Sequence, residues 1–395
     1  MPVLDHPHVS PSAPPPPAEA TRNPPEPGAR PIDAAAIPNV RNGVDVDRLA
    51  DELDRVRAEV LASLGPDDER YIRRLVMIQR RLELAGRALL WAGVAPPAWI
   101  AGVGVLSVAK ILENMEIGHN VLHGQWDWLG DPDINSRDWD WDNVCPADQW
   151  QRSHNEVHHQ WTNVRGRDGD IGYGLLRVDP DQPWSAKFAA QPLAFVALAT
   201  LFEYGVAFHD VDNDLRGINL ADDDPASRPE NIAAKAKSVV AKIRRQAIKD
   251  YVAFPLLSLP FGPAGVAASA GGAAVANIVR NVWAFTVIFC GHFPDGTHFT
   301  DAADAENETD GEWYLRQIQG SANFEGGPLL HLLAGNLSHQ IEHHLFPDVP
   351  SRRYREIAPR VREICDGHGI DYNTGSLATQ FGRVVRRVIR LWLPR

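Results

Sequence analysis

The chain has 395 residues, is 44% hydrophobic and carries a formal charge of −12. That length accommodates one large domain or two ordinary ones, and the acidic balance, with a pI near 5.7, argues against a nucleic-acid-binding protein. A mean hydropathy of −0.27 excludes a chain built wholly of membrane helices, and three cysteines (Cys145, Cys290, Cys365) make neither a disulfide framework nor a CxxC metal pair.

Residues 1–45 are rich in Pro, Ala and charge and lack any apolar period. Such a segment buries too little surface to offset its ordering entropy, so a disordered tail is expected there. It also lacks the basic start and apolar core of a signal peptide. Apolar residues at helical spacing over Val46–Leu64 open the ordered part, a single membrane domain over 46–380 followed by a basic C-terminal helix over 381–395. No GxGxxG or GxxxxGK[ST] loop is present, so nucleotide binding is not expected.

Crossing a bilayer takes ~20 mostly apolar residues in a helix. Residues 83–118 read as two apolar segments hinged at Pro96–Pro97, giving spans at about 83–95 and 98–117. Residues 250–291 read as a second pair, at about 250–268 and 272–291, hinged within the Pro- and Gly-rich stretch Pro260–Gly272. Arg70, Arg73, Arg74, Arg80 and Arg81 precede the first pair, and Lys242, Arg244, Arg245 and Lys249 precede the second. The positive-inside rule puts both starts, and therefore both returns near Gly118 and Gly291, on the cytoplasmic side. The apolar stretch 189–209 is interrupted by Glu203 and His209 and is expected as an interfacial helix. The predicted fold is thus all-α: two transmembrane hairpins, an interfacial helix and a cytoplasmic helical cap. The competing reading makes all five stretches buried helices of a soluble protein.

Eight of the fifteen histidines fall in three clusters: His119 and His123 in GHNVLHG; His154, His158 and His159 in SHNEVHHQWTN; His339, His343 and His344 in SHQIEHHLFP. Each cluster holds an i,i+4 pair, the spacing that stacks side chains on one helix face. Neutral imidazole suits Zn, Cu, Fe and Ni, and this many imidazoles exceed what one tetrahedral zinc needs. A two-metal centre with open positions for dioxygen or water is the natural reading, placed just beneath the bilayer because the first cluster follows a hairpin directly. The isolated His209, His298 and His368 read as surface or satisfied core residues.

These boxes resemble those of the integral-membrane fatty acid desaturases. HNVLH, HNEVHH and HQIEHH look like the family's three histidine boxes, and HNEVHHQWTN, CGHFPDG and GNLSHQIEHHLFPDVPSRRY are similar to the actinobacterial acyl desaturases and the front-end group, over roughly residues 80–375. The resemblance implies two iron ions held by His119, His123, His154, His158, His159, His292, His339, His343 and His344. His292, in CGHFPDG, stands for the extra ligand that related acyl-CoA desaturases draw from their last membrane helix. In box three His339 and Gln340 compete for the first position; His339 is preferred as the better iron ligand, at i,i+4 from His343. The asparagine that those enzymes pair with the extra histidine is replaced by Ile288, leaving Asn281 and Asn336 as candidates.

The family's chemistry implies dioxygen as co-substrate, two external electrons and a cis double bond introduced into a long fatty acyl chain carried on CoA, a carrier protein or a lipid. No His-Pro-Gly-Gly haem signature is present, so a separate donor such as a ferredoxin or flavin reductase is implied. Among the carboxylates between the boxes, Asp168 and Asp170 are two of eight candidates for orienting the imidazoles. Arg152, Arg165, Arg167, Arg177, Arg352 and Arg353 are available for a phosphate-bearing head group. The basic stretch FGRVVRRVIRLWLPR fits either an anionic lipid surface or a plain surface helix. A hydroxylase or ketolase of the same metal class is the alternative reading; a zinc hydrolase would want an HExxH that is absent, and a non-catalytic metal sensor would fail to react with dioxygen.

Overall fold

The computed structural model describes residues 40–41, 43–218 and 229–394. Most of the expected tail, residues 1–39, lies outside the described residues. Its last residues are ordered: Val40–Arg41 pairs antiparallel with Val44–Asp45 (β1 and β2), and the Asp45 side chain caps helix α1 (Val46–Ala62) at the Arg48 amide. This hairpin is the one sheet among the described residues; everything else is helix and loop.

Helix α1 buries Leu49, Leu53, Val56 and Val60 along one stripe. They pack on Tyr314, Leu345, Phe346 and Ile357, forming a core apart from the apolar hairpins. Helices α2 (Pro66–Trp91) and α3 (Pro96–Ile111) make the first hairpin, and the turn falls at the anticipated Pro pair, which occupies the first helical positions of α3. Their axes approach closely because both carry glycine at the contact. A Cβ on Gly86 would lie 2.7 Å from the Leu106 amide nitrogen, and one on Gly102 would lie 2.9 Å from Leu90.

Helix α3 runs on through a π-helical segment, Leu112–His119, into Asn120–Leu122. A second π-helical segment, Gln151–His158, links Ala147–Trp150 to His159–Trp161; the three pieces are taken together as α4. π-Helical turns widen the backbone and recur at functional sites. The stretch expected as a single interfacial helix is instead α5 (Gln191–Thr200) and α6 (Phe202–Arg216), bent by 104° at Leu201. The bend lets α5 leave Leu193 and Val196 exposed while α6 buries Glu203 and His209.

Helix α7 (Pro229–Ile248) continues through Lys249–Ala253 and Phe254–Leu256 before the chain turns back into α8 (Gly262–His292). The hinge expected across Pro260–Gly272 is therefore confined to its first residues, and α8 is unbroken over 31 residues. Gly272 is not a turn residue; it sits against Leu90, where a side chain would clash. Leu259–His292 is the one helix among the described residues long and apolar enough to cross a membrane by itself. The remainder of the chain contributes α9 (Asp310–Gly320), α10 (Gln340–Leu345), α11 (Tyr354–His368) and α12 (Leu377–Leu391). The last begins four residues earlier than expected, capped by Ser376.

The polar residues within the apolar hairpins are paired with one another. Lys110 lies 3.0 Å from Asp142 and 2.8 Å from Asp250, and Asp250 also meets Arg87 at 2.9 Å. Arg280 meets Glu203 at 2.6 Å, tying α8 to α6. Buried charges persist only when compensated in this way.

Candidate metal centre

Four elements deliver the histidines to one buried volume. The extension of α3 supplies His119 and His123, α4 supplies His154, His158 and His159, the end of α8 supplies His292, and α10 supplies His343 and His344. They separate into two groups whose donor atoms lie within 4.8 Å of one another: His119, His123, His154 and His343, and His158, His292 and His344. The Nε2 atoms of His119 and His343 are 3.3 Å apart, and those of His344 and His292 are 3.4 Å apart. His159 lies between the groups, its ring centre 4.7 Å from that of His123 and 4.4 Å from that of His344.

These spacings fit metal ions. With a metal–imidazole bond of about 2.1 Å, neighbouring ligand atoms fall roughly 3 to 3.4 Å apart. Nε2 of His123, His154 and His158, both nitrogens of His159 and Nδ1 of His292 are buried and lack any hydrogen-bond partner. Leaving so many buried imidazole nitrogens unpaired is costly, and metal ions held by the two groups would remove that cost. The donor atoms of His154, His158 and Asp170 also lie within 4.8 Å of one another.

Outward-facing nitrogens hold the rings. His158 Nδ1 lies 3.1 Å from Asp168, which also accepts from the amides of Asn163 (2.8 Å) and Asp170 (2.9 Å). His344 Nδ1 lies 3.0 Å from Gln317 Oε1 and 3.1 Å from Thr162 Oγ1, and His343 Nδ1 lies 3.2 Å from the Tyr354 hydroxyl. Engaging Nδ1 leaves Nε2 directed inward. Burial by itself disfavours a charged His158, yet the carboxylates of Asp168 and Asp170 outweigh it and raise its pKa to about 9. Burial, with His158 as the next cause, pushes His119 down to about 3.

His339 does not join the others. It caps α10 from outside with φ −104°, so the i,i+4 rule for a helix face does not apply between it and His343. Its ring stacks on His331 at 4.9 Å, and Gln340 instead reaches the centre, its amide 3.1 Å from His292 Nε2. Neither candidate asparagine reaches the histidines: Asn336 bonds Glu116, and Asn281 bonds the Thr200 carbonyl. His209, read in isolation as an ordinary histidine, is buried and 2.5 Å from Asp170. Gln317, Thr162 and Tyr354 carry no spacing signal that would have singled them out.

The six arginines considered for a head group are committed elsewhere. Arg152 pairs with Asp210 and Asp214, Arg165 with Asp179, Arg167 with Glu306, and Arg353 with Asp68. Arg352 bonds the Asp67 carbonyl, and Arg177 bonds the carbonyls of Pro180, Gln182 and Leu391.

Beside the centre lies a narrow pocket of about 50 Å³. Met115, Phe202, Val206, Ala284 and Ile288 form apolar walls, and His119, His154 and His292 border it. The walls thus come from the first and second hairpins and from α6. Asn114, Asn143, Ser153, Asp170, Glu203 and His209 also line it, so the pocket has an apolar side and a polar one.

The sequence profile described as "Fatty acid desaturase" matches residues 90–376. The chain belongs to the fatty acid desaturase family. It is 47% identical over 350 residues, 89% of this chain and 81% of the relative, to the NADPH-dependent stearoyl-CoA 9-desaturase of Mycobacterium tuberculosis. It is 25% identical over 308 residues, 76% of this chain and 82% of the relative, to the sn-1 linoleoyl-lipid 6-desaturase of a Synechocystis species. This desaturase is accordingly an oxidoreductase that acts on fatty acyl chains, and the hydroxylase reading is not favoured.

Proposed function

We propose that this desaturase introduces a cis double bond into a long saturated acyl chain carried on CoA, at the 9 position, with dioxygen as co-substrate and two irons as its metals. The 47% identity to a stearoyl-CoA 9-desaturase supports the carrier and the position. Two groups of inward-facing imidazoles, beside a pocket with an apolar side, carry the reading. His119, His123, His154 and His343 would hold one iron, and His158, His292 and His344 the other, with His159 between them. Bound iron would supply the redox chemistry that no side chain can provide for an unactivated methylene. In the overall balance, dioxygen takes two hydrogens from the acyl chain plus two electrons and two protons, leaving as two waters.

The protein's own residues do the positioning. Asp168, Gln317, Thr162 and Tyr354 fix the imidazole tautomers, and Trp150 packs on His154 with ring centres 4.4 Å apart, shielding it from water. Met115, Phe202, Ala284 and Ile288 hold the hydrocarbon beside the imidazoles. Electrons would come from a separate reductase drawing on NADPH, a ferredoxin or flavin protein.

The same reading places four spans in a bacterial plasma membrane with the histidines on the cytoplasmic side. Exposed Leu84, Val94, Ile100, Leu257, Phe261, Ile278 and Val282 on the hairpins support it. So does the return of the α3 extension and of α8 to the side on which the basic starts of α2 and α7 lie.

The test is expression with a compatible reductase and mass spectrometry of total fatty acids, with His158→Ala as control. Acids two hydrogens lighter, absent in the control and cleaving at the 9 position on fragmentation, are expected. Acids one oxygen heavier would instead establish a hydroxylase.

A further inference from the structure

The C-terminal helix α12 has two unlike faces. Gln380, Val384, Arg387, Val388 and Leu391 are buried against the fold. Arg386, Ile389 and Arg390 are exposed, and their i, i+3, i+4 spacing puts them in one stripe, with Leu393 exposed just past the helix end. Together they alternate cation and large apolar side chain: Arg386 is 69% exposed, Ile389 60% and Leu393 56%.

The charge of this stripe is not balanced by the protein. Arg386, Arg387 and Arg390 all face the single carboxylate of Asp295, at 3.8, 3.6 and 3.8 Å. Arg383, one turn earlier, bonds only the neutral amides of Asn373 and Gln380. On the exposed stripe, Arg386 and Arg390 have only Asp295, which they share with the buried Arg387, a local cationic excess on a chain whose net charge is −12.

The stripe also continues an apolar surface. Gln191, at the start of α5, donates to the Val388 carbonyl at 2.7 Å, Trp392 donates to the Ala189 carbonyl at 2.7 Å, and Trp184 donates to the Trp392 carbonyl at 2.9 Å. These bonds pack the end of α12 against the start of α5, and Leu193 and Val196 of α5 are exposed, as are Ile389 and Leu393. Arg387, bonded to Thr297 at 3.1 Å, anchors α12 from the opposite side, so the stripe is held facing outward. Apolar side chains, half-buried tryptophans and uncompensated arginines on one surface match the acyl, interfacial and headgroup layers of an anionic bilayer leaflet.

We infer that the Arg386–Arg390 stripe of α12, with Leu393 just beyond it, is a binding site for an anionic phospholipid, whose phosphodiester sits between Arg386 and Arg390 and whose acyl chains lie on Ile389, Leu393 and α5. This rests on the membrane placement proposed above and goes beyond it, because placement alone requires no headgroup selectivity. Arg is suited to the task, since its planar fork meets two phosphate oxygens at once.

The experiment is native mass spectrometry of the full chain released from nanodiscs of phosphatidylcholine containing a minority of phosphatidylglycerol. The wild type should retain phosphatidylglycerol out of proportion to its share. The double variant Arg386→Gln/Arg390→Gln should lose that retention by roughly tenfold or more at low salt. Arg360→Gln, on the far face of α11 where it pairs with Glu59, should retain it as the wild type does. Indiscriminate retention of both lipids would overturn the proposal while leaving the membrane placement standing. Failure of the chain to enter nanodiscs at all would overturn both. A dimer that buries the stripe, detected as a doubled mass lost in the double variant, would replace the lipid by a second copy.

Discussion

Nδ1 of His158 sits 3.1 Å from Oδ2 of Asp168, and each side chain is only 1% exposed. The carboxylate is itself fixed by the amides of Asn163 and Asp170, so it presents one orientation to the ring. Nε2 of His158, free of any other partner, is thereby aimed at His292 and His344. Asp168→Asn keeps the shape and removes the charge. It should lower iron affinity by roughly 10- to 100-fold, the usual cost of losing an outer-shell carboxylate. Iron per chain after dialysis against a graded chelator series measures this.

His339 and Gln340 should separate cleanly. His339→Ala should leave iron per chain unchanged, because its ring lies on His331 rather than among the other histidines. Gln340→Ala removes the amide beside His292 and should reduce iron occupancy or alter the iron spectrum. The opposite result would return His339 to the centre.

Lys110 is buried between Asp142 and Asp250, and removing it leaves Asp142 to Lys249 alone and Asp250 to Arg87 and the more distant Lys249, with the two carboxylates no longer bridged. Breaking one member of a buried ion group costs about 3–5 kcal/mol. Lys110→Met should therefore unfold at a markedly lower temperature in detergent. Adding Asp250→Asn should recover part of the loss, the signature of coupled sites.

Asp68 accepts from the Arg353 guanidinium at 2.7 and 2.8 Å and from the Gly65 amide at 3.1 Å, tying the start of α2 to the chain after the third histidine cluster. Burial opposes its ionisation, but Arg353 and the Gly65 amide outweigh that and hold its pKa below the usual 3.8. The folded state then binds fewer protons than the unfolded one in that window, so stability is full above about pH 4 and declines as pH falls through the folded pKa. Asp68→Asn should lose stability at neutral pH and show a shallower decline between about pH 4 and pH 2, read from denaturation midpoints at each pH.

Local patterns carried much of the fold. The proline pair at 96–97 marked the first hairpin because proline favours the first helical positions. The apolar runs marked α3, α5 and α8 because burial and helical period leave a direct trace in sequence. The Pro260–Gly272 stretch misled because glycine serves two purposes: Gly262 takes the left-handed φ of 75° at the turn, whereas Gly272 makes room for Leu90. Only the packing partner distinguishes them.

By itself the sequence determined the chemistry of this desaturase. Three histidine clusters at close spacing are a local property of the chain, and they point to metal chemistry before any fold is known. The tertiary structure decided which histidines come together. His123 and His343, or His158 and His292, lie far apart in the chain and meet only because α3, α4, α8 and α10 converge. It likewise excluded His339, drew in Gln340 and Asp168, and committed the six arginines to internal partners. Orientation around a metal is set by contacts across the fold, and such contacts leave no periodic signal in the sequence.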